Sequence, residues 1–129
     1  MNQHNKISYD IRGATFKVLK KLGPGMLESV YESALAYELK KMGHTVKTQI
    51  PVPMKYEDIE MNVGFRLDIL VDDLVIVEVK SVENLSDIHH KQLLTYLKLS
   101  EKKLGLLINF NCTDLTNNII RIVNGLDGN

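Results

Sequence analysis

Residues 63–80 read VGFRLDILVDDLVIVEVK, and this stretch decides the fold. Two β-rich runs, Val63 to Val71 and Leu74 to Lys80, flank an Asp72-Asp73 turn, which is the pattern of a hairpin. The first run carries one acid, Asp68, in mid-strand. The second ends on Glu78 and Lys80, two residues apart and so on one face. A strict two-residue turn would pair Asp68 with Val77 and put Glu78 on the wrong face. A three-residue loop, 72–74, places Asp68 directly opposite Glu78. That odd loop is the expectation.

Outward from the hairpin, the pattern switches between helical and strand periods. Toward the N-terminus, Val46, Ile50, Val52 and Met54 alternate, and Pro51 and Pro53 mark an edge strand that tolerates missing N–H groups. Tyr56 to Met61 is polar and turn-like. Further back, Ile7, Ile11, Ala14, Val18 and Leu22 form one helical face. Gly23-Pro24-Gly25 stops that helix, and a second runs from about Met26 to Met42 and closes on Gly43. Toward the C-terminus, Ser86 caps a helix that reaches Ser100, with Asp87 in its first turn. Leu104 to Phe110 reads as a buried strand, and an Asn117-Asn118 turn leads to a last strand, Ile119 to Val123. The tail from Gly125 should fray. The order α-α-β-β-β-α-β-β describes an α/β fold with a mixed central sheet flanked by helices.

With 129 residues, the chain fits one domain, 1–129, with a core over about 7–124. Hydrophobic residues at 44% and charged residues at 25% exclude disordered and fibrous classes. No apolar run suits a membrane helix, and MNQHNKISYD has no apolar export segment. Cys112 is the single cysteine, so a reducing cytoplasm is the expected setting. Sixteen Lys and Arg balance sixteen Asp and Glu, which argues against a strongly basic, sequence-independent DNA coater. Arg12, Lys17, Lys20 and Lys21, and later Lys98, Lys102 and Lys103, read as solvated helix faces, with a local basic patch as the alternative. His89 and His90 diverge by 100° on a helix and do not chelate one ion together. No phosphate-binding G-x-x-x-x-G-K-[ST] loop occurs.

The informative residues break the local hydrophobic rule. On the second helix, Tyr31, Leu35, Leu39 and Met42 form a stripe, and Glu28 projects within about 25° of its centre. Glu28 also reads as an ordinary first-turn acid favoured by the helix dipole. Asp68 in mid-strand needs a partner, because an isolated buried carboxylate costs several kcal/mol or takes a proton. A cross-strand ion pair would match one acid to Lys80 and leave the other unexplained. On the third helix, Leu85, Ile88, Gln92, Tyr96 and Leu99 follow helical spacing and put Gln92 at a core position. A backbone-satisfied glutamine is the plain alternative. Together, three carboxylates and a lysine drawn from three elements make a hard-oxygen site suited to Mg²⁺ or Mn²⁺.

These residues resemble a known pattern. Asp68 followed by Glu78-Val79-Lys80 after a strand is similar to the D…E-x-K signature of PD-(D/E)-x-K nucleases. Gly25-Met26-Leu27-Glu28-Ser29-Val30-Tyr31 matches G-x-x-E-x-x-Y, the motif of the small GxxExxY proteins. Gln92-x-x-x-Tyr96 looks like the Q-x-x-x-Y element of some exonuclease branches. The chain departs from the pattern at Leu67, where a proline often precedes the aspartate. The resemblance spans roughly residues 7 to 124 and implies a restriction-endonuclease-like core, with its site at the open end of the central hairpin. By that resemblance Asp68, Glu78 and the Val79 carbonyl hold the metal, with Glu28 completing the acidic cluster. Lys80 would act on the attacking water, and Tyr31, Gln92 and Tyr96 would orient ligands or touch a phosphate.

The expectation is therefore a Mg²⁺- or Mn²⁺-dependent nuclease acting on DNA or RNA. The alternative is a non-catalytic module of the same fold that binds nucleic acid or a protein partner. A 129-residue nuclease offers little surface for gripping a duplex, which suits a homodimer.

Overall fold

Asn2 starts the first helix by accepting the Asn5 N–H on its side-chain oxygen at 2.7 Å. The computed structural model describes residues 2–126, the side chains of Asn62 and Val63 excepted, so the end of the expected tail, 127–129, lies outside the described residues. Helix α1 (Gln3–Leu22) ends at Gly23 with φ 69°, a left-handed exit that glycine makes without steric cost. Helix α2 (Glu28–Lys41) ends before Gly43, whose φ of 96° lets His44 N–H return to the Leu39 carbonyl. It begins two residues later than the apolar pattern suggests, because Met26 N–H is tied to the Tyr31 hydroxyl.

Strands β1 (Val46–Tyr56), β2 (Ile59–Val71) and β3 (Val75–Lys80) follow, then α3 (Asp87–Ser100), β4 (Leu104–Asn109) and β5 (Ile119–Val123). The expected element order is observed. The five strands lie in the order β1-β2-β3-β4-β5, with β3 and β4 parallel and the other neighbours antiparallel. β1, which holds both prolines, is an edge strand as its sequence implies. The polar segment after Tyr56 is shorter than its composition suggests, because β2 begins at Ile59.

Helices α1 and α2 cover one face of the sheet. Ile7, Ile11, Val18, Tyr31, Leu35 and Leu39 pack there on Ile69, Val77, Val79 and Ile108. Helix α3 covers the other face, where Leu93 and Leu97 meet Leu67, Leu70, Ile76 and Leu107. This corrects the stripe read from sequence. Gln92 is exposed, as are Ile88 and Leu99, and the face turned to the sheet lies 100° further round at Leu93 and Leu97. Gly105 on β4 explains the choice: a Cβ there would stand 3.0 Å from Leu93 Cδ1, so the missing side chain makes the notch that Leu93 occupies. Met42 is likewise exposed, since the helix ends before it can turn inward.

Candidate metal-binding site

Three residues, 72–74, join β2 to β3, and the register runs Val71 to Val75, Leu70 to Ile76 and Ile69 to Val77. Asp72 and Asp73 take left-handed conformations, φ 52° and 59°, to make the turn. The next position in the same register sets Asp68 against Glu78. The odd loop expected from sequence is present, and the two carboxyls meet.

They meet where the ladder opens. Val79 N–H donates to Asp68 Oδ2 at 2.8 Å, so a side-chain oxygen takes the place that a backbone carbonyl of β2 would otherwise fill. Glu78 is 5% exposed, and its Oε1 has no hydrogen-bond partner. Burial pushes its carboxyl up to about 10, the bond and charge of Asp68 add to that rise, and the Lys80 charge opposes it. A buried acceptor left unmet, facing a second carboxylate, is the local cost that a cation would relieve. The donor set fits a hard divalent ion.

The other residues singled out by sequence are placed as follows. Lys80 follows Glu78 by two on β3 and is half-buried. Tyr96 lies on α3 with its ring stacked on Phe65, centroids 4.1 Å apart. Burial raises its hydroxyl pKa, and the charges of Glu78 and Asp68 raise it further. Glu28, the first residue of α2, is exposed and accepts the Ser81 N–H at 3.1 Å. Among the described residues no three His, Cys, Asp or Glu side chains converge closely enough to hold a metal ion, so Glu28 does not join the pair here.

Tyr31 is fully buried, stacked on Phe110 at 4.6 Å, and its hydroxyl donates to the Gly23 carbonyl while accepting Met26 N–H. Its polar end therefore fastens the Gly23–Gly25 turn. Gln92, exposed on α3, lacks the inward aim that its assumed core position required. His89 closes the capping box of α3 with Ser86. Lys17 pairs with Glu38 at 3.0 Å and Lys102 with Asp73 at 3.5 Å.

Four residues around the pair escaped the sequence reading. Glu32, one turn beyond Glu28, accepts Gln49 Nε2 at 2.6 Å. Burial raises its carboxyl pKa, the Gln49 bond opposes this, and the charges of Asp68 and Glu28 add to the rise. Its position at i+4 from Glu28 was the available signal. Gln49 itself gave none. Ser81 anchors the site's far side by donating its hydroxyl to the Met26 carbonyl at 2.9 Å. Asn109, buried at the end of β4, accepts Val82 N–H at 3.0 Å and donates to the Val82 carbonyl at 2.9 Å. A polar residue inside LGLLINF breaks the apolar rule just as Asp68 does, so the same argument would have found it.

A mixed sheet between helices, with two carboxyls and a lysine at the open end of its central hairpin, has the architecture of a restriction-endonuclease-like core. The family model of the PD-(D/E)XK nuclease superfamily matches residues 5–122, and the chain belongs to that superfamily. A nuclease-type function in general follows from this membership, and nucleases of the superfamily typically use divalent metals. No curated protein and no solved structure matches the chain. Among the described residues no helix is long and apolar enough to cross a membrane.

Proposed function

We propose that this chain is a divalent-cation-dependent nuclease that hydrolyses phosphodiester bonds in DNA or RNA. The observation that carries the reading is the buried, unmet Oε1 of Glu78 opposite Asp68. Two carboxylates suffice for Mg²⁺, which is commonly bound by one or two of them, with waters and substrate phosphate completing its shell. Asp68, Glu78 and the Val79 carbonyl would hold Mg²⁺ or Mn²⁺, and Glu28 would act from the helix end opposite Ser81. When bound, such an ion supplies Lewis-acid polarisation of the phosphate and a lowered pKa for water. Lys80, on the same strand face as Glu78, balances negative charge on the phosphoryl group and orients the attacking water. Tyr96 borders the pair and lines the approach from α3.

Within the superfamily, our reading groups the chain with the GxxExxY proteins, and the Gly25–Tyr31 segment supports it. The lone Cys112 suits a reducing cytoplasm. The substrate is nucleic acid, met by a homodimer whose second copy enlarges the gripping surface.

The test is Mn²⁺ and Mg²⁺ calorimetry on wild type and Asp68→Ala, alongside cleavage of mixed DNA and RNA substrates. We expect binding that vanishes in Asp68→Ala, and cleavage reduced on the order of 10³-fold in Lys80→Ala. A folded wild type that binds neither ion would reject the catalytic reading and leave a non-catalytic binding module.

A further inference from the structure

Among the described residues, five non-glycine positions have positive φ. Glu57, Asp72 and Asp73 lie in turns and Glu101 at the end of α3, whereas Gln49, φ 52°, lies inside β1. A left-handed residue within a strand carries a steric cost for any side chain with a Cβ, and such residues persist where the surroundings enforce them.

The place of this kink is specific. Thr48 pairs with Ile69 and Ile50 with Leu67, so Gln49 stands across the ladder from Asp68. Both strands change face there. Val46, Ile69 and Val71 pack on the α1–α2 side, while Ile50, Val52, Phe65 and Leu67 pack on the α3 side. Strict alternation would keep residues 67 and 69 on one face, and likewise 46 and 50. Asp68 therefore sits at the reversal, between the two faces, where its carboxylate reaches along the sheet to Val79 N–H.

Two neighbours hold the kink. Glu32 on α2 accepts the Gln49 side-chain amide at 2.6 Å, and Arg66 on β2 donates to the Gln49 carbonyl at 3.3 Å. We infer that Gln49, locked by Glu32, is a positioning residue that turns the Asp68 carboxylate out of the pleat and toward Val79 and Glu78. The consequence for cation binding rests on the proposed role of Asp68 and Glu78, whereas the consequence for the Asp68–Val79 bond does not.

Amide hydrogen exchange of the metal-free chain reads that bond directly. Val77, in the ladder with Ile69, serves as the internal reference. In Glu32→Ala we expect Val79 exchange to accelerate about tenfold relative to Val77, with Mn²⁺ affinity weakened about tenfold. Glu32→Gln keeps an oxygen that accepts from Gln49, so both quantities should stay within about threefold of wild type. Gln49→Val, β-branched and hostile to positive φ, should exceed Glu32→Ala in both. Unchanged Val79 protection in a folded Glu32→Ala would overturn the inference. So would a Glu32→Gln as damaging as Glu32→Ala, because the charge of Glu32 and not its bond would then matter. If Gln49→Val fails to fold, the two Glu32 variants still decide. A wild type that binds no Mn²⁺ would sink the cation reading, while the exchange comparison would still judge Gln49.

Discussion

At the turn end of the β2–β3 hairpin, Asp72 and Asp10 flank the His44 ring, with Asp72 Oδ2 2.6 Å from Nδ1 and Asp10 Oδ2 2.7 Å from Nε2. At the open end of the same hairpin, Asp68 faces Glu78, and an oxygen of Glu78 has nothing to accept. Both ends gather two carboxylates. At the turn end the chain supplies the cation, and Asp72 Oδ1 also accepts Thr45 N–H at 2.8 Å, so the cluster joins α1, the loop after α2 and the hairpin turn. At the open end the countercharge within reach is Lys80, which lowers the Glu78 pKa without offsetting burial. The difference separates a cluster that stabilises the fold from one whose cost the rest of the fold must absorb.

The largest effect that sharpens this contrast is expected at Glu78. Its carboxyl is pushed up from 4.5 to about 10, so the folded state holds the proton more tightly than the unfolded state does. By linkage, its contribution to stability is greatest below 4.5 and falls as pH rises toward 10. Glu78→Gln keeps the shape without the charge. Metal-free Glu78→Gln should therefore be more stable than wild type by about 3 kcal/mol at pH 8, in urea unfolding, with a smaller gain at pH 5. Equal or lower stability at pH 8 would mean that the open end bears no electrostatic cost.

The second test adds the missing cation. With Mn²⁺ at about 100 times its Kd, wild type should gain roughly 2.7 kcal/mol in unfolding free energy. Asp68→Ala should gain nothing, and His44→Ala should gain as much as wild type. An increment that survives Asp68→Ala would place the ion elsewhere and break the comparison.

How legible these two ends were in the sequence differs for physical reasons. Asp68 announced itself because an acid in an apolar strand violates a strong burial rule, and hairpin geometry then tied it to Glu78. The element order followed from period and punctuation, with Gly23 and Gly43 ending helices where expected. The face of α3 was misread because isoleucine, leucine and tyrosine side chains lie around much of that helix, and only the Gly105 notch decides which leucines turn inward. Glu32 and Gln49 sit on surfaces where polar residues are ordinary, so their bond has no one-dimensional trace. The His44 cluster was missed likewise: its members are separated by 34 and 28 positions, and folding alone brings them together.

The smallest of the expected effects belongs to that cluster. Burial alone would lower the pKa of His44 below 6.5, but its bonds to Asp72 and Asp10 outweigh burial and raise it. The charged ring therefore stabilises the fold fully below 6.5, and the contribution is lost as pH rises through the raised folded value. His44→Ala should cost about 2 kcal/mol at pH 6 by thermal or urea unfolding, consistent with charge-assisted bonds to a largely buried ring. The deficit should shrink toward pH 9, where wild type has also lost the charge. Asp72→Asn should show the same shrinkage with a smaller deficit, since Asp10 still faces the ring and the Thr45 bond is kept. A deficit that holds constant with pH would make His44 a neutral packing residue. The turn end would then no longer be the hairpin's cation-paired counterpart to Asp68 and Glu78.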